Sequence, residues 1–350
     1  MKNNLNIIIA IGIGALSVIA FILFPNDRSL EGWKVEDYYS ETITNTDPVQ
    51  TSLIFGGDVM LARTVEQKML KYQDWTRPFL EIAEQFSQAD IAFINLESPL
   101  YDGGSATPNG SVVFRALPQT IEGINLAGID IVTLANNHFG DQGTAGMEYT
   151  MNILSDNNIE YCGAGFDSDQ SHHAVSIERN GLKFAYLGYA YPNSNLASTT
   201  KMGTNNMDID IMIDDVNRAG QQADLVIVSM HSGAEYVYTP GQQQIDFARA
   251  AIDAGADLVI GHHPHVVQTY EQYEGGHIFY SLGNFVFDQE WSVPTTEGVV
   301  VKVTLQDKNI SNIEFKPIKI VDYHQPTWGD KTIQENVLAR LIVDQTTIDL

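Results

Sequence analysis

The chain is 350 residues long and 44% apolar, and it carries 44 acidic against 19 basic residues, for a net charge of −25. That composition supports a sizeable core and excludes wholesale disorder, while the acidity argues against nucleic acid, whose phosphates require Lys and Arg. Cys162 is the only cysteine in the sequence, which leaves no intrachain disulfide and no thiolate zinc centre.

The first element in chain order is an apolar run, "LNIIIAIGIGALSVIAFILF", residues 5–24, twenty residues without a charge. As a helix it would measure about 30 Å, the thickness of a bilayer's hydrocarbon core. A cleaved signal peptide is the rival reading, but "FILFPND" puts large residues where a peptidase needs small ones. An uncleaved membrane anchor is therefore expected over 1–25. Lys2 and the amino terminus on one flank, against Asp27, Arg28 and Glu31 on the other, lead us to expect the body on the extracytoplasmic side of the cytoplasmic membrane. Residues 26–51 are polar and aperiodic and are expected to form a stalk.

From Leu53 onward, short apolar runs alternate with helical patterns. The runs are "SLIFGG", "IAFINL", "IDIVTLA", "KFAYLGYA", "DLVIVSM" and "DLVIGHH"; helices are expected at 63–73, 118–127, 144–157 and 242–254. Several runs are apolar throughout, as strands covered on both faces must be. "HIFYSLGNFVF", "GVVVKVTLQ" and "ISNIEFKPIKIV" read as consecutive strands with short turns. The spacing predicts an α/β domain over 52–323, layered around a mixed β-sheet. Residues 324–350 are expected to be a C-terminal tail with one helix at 331–343.

Almost every core-like run ends in polar residues where its loop begins. The first ends in Asp58 and the second in Asn95 and Glu97; the third ends in Asn136, Asn137, His138 and Asp141. Another ends in His231, Glu235 and Tyr236, and "VIGHHPHVVQ" supplies His262, His263 and His265. In open α/β sheets the carboxyl ends of the strands converge on one edge, where ligands bind. Taken singly, Asp58 reads as a helix cap, "NNH" as a turn and His231 as a core histidine. Five such runs ending alike point instead to one pocket of oxygen and imidazole donors, suited to Mn, Fe or Zn.

In this order, "GGDVMLAR", "NLESPL", "NNHFGDQG", "HSGAEY", "HHPHVVQ" and "YSLGNFVFDQ" resemble the bacterial capsule-synthesis protein A family of poly-γ-glutamate production, itself similar to calcineurin-like metallophosphoesterases. The resemblance runs from about Leu53 to Asp288. It implies a metallophosphoesterase-like fold, with Asp58 as a metal-binding carboxylate, Glu97 as a bridging one and Asn137 as a ligand. It further implies His138 as the acid assisting a leaving group, His231 and His263 as ligands of one metal position, and His265 as a ligand of the other. Asn136, Asp141, Glu235, Asn284 and Asp288 are expected to orient ligands or line the pocket. On a strand, residues two apart share a face, so His263 and His265 are expected to bind metal while His262 points away. The phosphoesterases carry Asp-x-His where this chain has Asp58-Val59-Met60. A thioether is a poor donor to a hard ion, so a single-metal or weakly occupied second position is expected.

The function implied is a membrane-anchored component of poly-γ-glutamate capsule synthesis or export. Its expected partners are the membrane, the other synthase and export subunits, and the polymer itself. A free-standing metal-dependent hydrolase of phosphoesters or γ-glutamyl amides is the alternative. No phosphate-cradling "GxxxxGK[ST]" loop is present, so the chain is not expected to activate glutamate with ATP.

Overall fold

The computed structural model describes residues 49–105 and 107–341. The expected anchor and nearly all of the expected stalk lie outside them. Among the described residues, no helix is long and apolar enough to cross a membrane.

The principal strands are β1 (Gln50–Val59), β2 (Ile91–Leu96), β3 (Ile131–Thr133), β4 (Glu160–Cys162), β5 (Val175–Arg179), β6 (Leu182–Ala190) and β7 (Leu225–His231), then β8 (Leu258–His262), β9 (Tyr270–Tyr273), β10 (Gly276–Phe279), β11 (Asn284–Val286), β12 (Glu297–Gln306), β13 (Asn309–Val321) and β14 (Gln325–Trp328). They form two mixed sheets where the sequence predicts one. The first runs β14-β13-β12-β1-β2-β3-β4, with β11 also pairing β1; the second runs β9-β10-β8-β7-β6-β5. Strands β1 to β4 pair in parallel, as do β6, β7, β8 and β10.

Side-chain alternation explains the layering. Leu53, Phe55 and Phe93 share a core with Phe184, Tyr186, Ile227 and Ile260 of the other sheet. The residues between them face outward: Ile54, Ala92 and Ile94 pack under the helices Arg63–Tyr72, Ile121–Leu126 and Gly143–Asp156. Leu187, Val228 and Val259 pack under Ile209–Gly220 and Gln242–Asp253. Apolar residues on both faces of one strand are what a four-layer helix–sheet–sheet–helix stack requires. An apolar run therefore reveals burial but not which sheet a strand joins. "HIFYSLGNFVF" illustrates this, since β10 belongs to one sheet and β11 to the other.

The predicted helices match closely, apart from 118–127, which is a 3-10 turn at Pro118–Thr120 continuing into Ile121–Leu126. The stretch expected to be a tail is packed on the domain. β14 pairs antiparallel with β13, and Val337 and Leu341 of the helix Lys331–Leu341 are fully buried.

Candidate metal centre

The carboxyl ends of the parallel strands of both sheets meet at one edge. Strand register sets Asp58 beside Asn95 on one side and Asn284 on the other. In the second sheet it sets His231 beside His262. Two glycines permit this approach. A β-carbon on Gly57 would come within 2.0 Å of the Gly283 carbonyl, and one on Gly261 within 2.0 Å of the Tyr280 carbonyl. With no β-carbon in the way, the Asp58 N–H donates to Gly283 O at 3.0 Å.

Asn95, which lies near the end of β2, ties the two sheets together. Its amide nitrogen lies 2.8 Å from Asp58 Oδ1, 3.4 Å from Glu97 Oε2 and 3.3 Å from His231 Nδ1. Asn95 stands in the strand-end pattern of the sequence, but no motif role attaches to it. Asn136 backs this arrangement rather than lining the pocket, donating to Asn95 Oδ1 at 3.1 Å and to Leu96 O at 2.9 Å. Asn137 Oδ1 is 2.8 Å from His231 Nε2.

The three-histidine stretch departs from its expected geometry. β8 ends at His262, while His263 (φ 97°) and His265 (φ 58°) adopt left-handed backbone. Strand alternation therefore does not place their rings; a tight turn does. The His263 N–H donates to Asp58 Oδ2 at 3.2 Å, and Pro264 O accepts from Tyr236 N–H at 2.8 Å. Non-glycine residues in such conformations cost about 1–3 kcal/mol each and persist where the surroundings over-determine them. Nor does His262 point away. Fully buried, it holds Nδ1 3.2 Å from Asp58 Oδ1, with its ring 6.0 Å from that of Phe93.

His265 Nδ1 is 2.9 Å from Asn284 Oδ1, leaving Nε2 3.7 Å from Glu97 Oε1. Asn284 thus orients a histidine, as metal-ligating imidazoles require. Asp141 does the same for His138, with Oδ2 2.8 Å from Nδ1, and His138 Nε2 lies 4.0 Å from Glu97 Oε1. Asp288 lines the cleft, where it pairs with Arg63 and accepts from Thr64 N–H at 3.1 Å. Phe114, whose irregular loop carries no sequence signal, stacks on His138. Met60 is fully buried in the outer core, and its sulfur accepts from Ala62 N–H at 3.1 Å.

The electrostatics separate the two buried carboxylates. Burial pushes Asp58 up, but the adjoining His262 and His265 rings outweigh it and hold the carboxyl well below the usual range. Burial, then the charges of Asp58 and Glu235, push Glu97 well above it. Burial also lowers His231 strongly and brings His263 down to about 4, with neighbouring histidines adding to both. Those two imidazoles are neutral at pH 7, the state a metal ligand needs.

Two sets of side chains stand close enough to hold an ion: Asp58, Glu97 and His265, and Glu235, His263 and His265, with the donor atoms of each set within 4.8 Å of one another. Glu97 Oε1 and His263 Nδ1 are buried without a hydrogen-bond partner among the described residues. A buried carboxylate oxygen and a buried neutral imidazole nitrogen left bare are costly. A divalent cation in either set would satisfy one of these atoms, and such oxygen and nitrogen donors suit Mn, Fe or Zn. The residues fit the group. The centre opens into a cleft of about 950 Å³ whose walls include Arg63, Val112, Phe114, Tyr236 and Trp291.

Comparison with known proteins gives four findings. A family described as "Bacterial capsule synthesis protein PGA_cap" matches residues 52–289. The chain is 32% identical over 301 residues to "Capsule biosynthesis protein CapA" of Bacillus anthracis, covering 83% of this chain and 72% of that one. It is 30% identical over 351 residues to "PGA biosynthesis protein CapA" of Bacillus subtilis (strain 168), covering 98% and 88%. A crystal structure of a hypothetical protein from Thermus thermophilus shares the fold, with a TM-score of 0.50 and 14% identity over 77% of this chain and 99% of that one.

Proposed function

The chain belongs to the bacterial capsule synthesis protein family, and from that premise we propose that it is a membrane-anchored, extracytoplasmic component of poly-γ-glutamate capsule synthesis or export, built around a divalent metal centre. The capsule and PGA roles named for the Bacillus relatives support the biological half. The chemical half rests on one observation, the buried Glu97 Oε1 left without a partner beside His265 Nε2 at 3.7 Å.

Glu97 and His265, with Asp58 behind them, would hold the ion on one side, and Asn137, His231 and His263 would receive it on the other. When bound, a divalent ion supplies Lewis-acid polarisation of a substrate oxygen. The remaining work falls to the chain. Asn95 and Asn284 fix the orientation of ligands, and the cleft admits an extended substrate. His138, steadied by Asp141, can deliver a proton from Nε2 at the mouth of the site. That His138 Nε2 lies 4.0 Å from Glu97 Oε1 favours the second reading, a metal-dependent hydrolase of phosphoesters or γ-glutamyl amides. The anchor reading comes from residues 5–24, and the other synthase subunits would be partners at the membrane.

The test is genetic and chemical together. In a poly-γ-glutamate-producing strain that carries this gene, Glu97→Gln should abolish polymer while the protein accumulates normally and loses its metal. Wild-type polymer from the deletion strain would defeat the capsule role; wild-type polymer from Glu97→Gln alone would defeat the metal's part in it.

A further inference from the structure

We propose that Glu235 is a direct ligand of the metal, supplying from the exposed mouth the donor that position 60 does not provide. This rests on the metal-centre reading above and extends it beyond the residues that the motifs assign. A carboxylate oxygen of Glu235 and ring nitrogens of His263 and His265 lie within 4.8 Å of one another. Donors about 2.1 Å from one ion stand at most about 4.2 Å apart, so a small closure of an exposed side chain completes the set.

A second observation points to the same place. His263 is 5% exposed, and its Nδ1 has no hydrogen-bond partner among the described residues. The deeper Asp58 carboxylate meets other groups, Oδ1 accepting from Asn95 and Oδ2 from the His263 N–H. The Met60 sulfur is turned to Ala62 N–H.

The loop that carries Glu235 is built to hold it there. Tyr236 N–H donates to Pro264 O at 2.8 Å, tying the residue after Glu235 to the residue between the two histidines. Tyr236 takes left-handed backbone (φ 65°), and Gly233 takes φ 124°, where a β-carbon would meet Gln244 Oε1 at 2.6 Å. On the far side, Gln268 Nε2 donates to Val237 O at 2.7 Å. An acidic residue serving only solubility would need no such stitching. A ligand held by an exposed loop also makes the ion reachable from solvent, so an incoming anionic substrate can take the Glu235 position.

Titration of the full-length protein in detergent with Co²⁺, followed by visible absorption and by elemental analysis, tests the assignment. Glu235→Gln should weaken Co²⁺ binding about tenfold or more and also shift the d–d band, because a donor changes. Glu235→Asp should recover part of both. Unchanged affinity, or weaker binding with an unchanged band, would overturn the proposal, the latter placing Glu235 outside the coordination sphere. Failure of the wild-type chain to take up Co²⁺ would overturn the centre itself, and this ligand with it.

Discussion

The imidazole of His138 lies flat against the ring of Phe114, with centroids 3.9 Å apart and planes 26° from parallel. The same phenylalanine donates its N–H to Asp141 Oδ2 at 2.6 Å, the oxygen that also meets His138 Nδ1. One residue therefore fixes both the face and the edge of the histidine. Phe114→Leu keeps apolar bulk but removes the flat face. A stacked pair is worth about 0.5–1.5 kcal/mol, so acylation of His138 by diethyl pyrocarbonate should speed up roughly 2- to 12-fold. Peptide mass spectrometry reads it; an unchanged rate would show that Asp141 alone holds the ring.

The histidine turn should separate ligands from support. His263→Ala and His265→Ala should each lower bound metal in elemental analysis. His262→Ala should act chiefly on stability, because it strips a buried partner from Asp58 and opens a void beside Phe93. Loss of such a partner costs about 1–3 kcal/mol, visible as a lower melting temperature of the metal-free protein. A stable His262→Ala protein would remove that residue from the Asp58 network.

Acidity should govern how much the ion stabilises the fold. Burial and neighbouring acids raise Glu97, so the metal-free protein holds a proton there more tightly than the unfolded chain does. That contribution is full below the ordinary carboxylate range and is lost as pH rises through the raised value. His231 and His263, lowered by burial, are already deprotonated across that window. An added divalent ion replaces the lost proton, so the melting shift caused by Mn²⁺ or Zn²⁺ should grow as pH rises above the ordinary carboxylate range. Glu97→Gln should flatten that growth, and differential scanning calorimetry measures it.

The native protein should remain in the membrane fraction with residues 5–24 intact. Their twenty uncharged positions lack a cleavage site. Mass spectrometry of the N-terminus is the measurement, and a start beyond Phe24 would contradict the anchor.

At a net charge of −25 the chain should repel poly-γ-glutamate unless divalent cations bridge the carboxylates. Binding of the polymer should be strong with Ca²⁺ or Mg²⁺ and weak after chelation. Equal binding in both conditions would remove cation bridging from the account.

Much of the centre is legible in the sequence because parallel strands deliver their last residues to one edge whatever the surrounding loops do. Asp58, Glu97, Asn137, His231 and the histidine stretch stand at such ends, and the period of the helices follows from one-sided burial. The sequence by itself thus determined a layered α/β domain with a candidate site at its strand ends. Only the tertiary structure decided which sheet each strand joins, since a run apolar on both faces fits either. It also decided the aim of the three histidines: strand alternation stops at His262, and beyond it the contacts of Pro264, Tyr236 and Asp58 set the backbone. Asn95 as the tie between sheets, Phe114 against His138, and Glu235 beside His263 and His265 are all meetings of residues distant in sequence. No local periodicity encodes such meetings; they arise where two sheets close on each other.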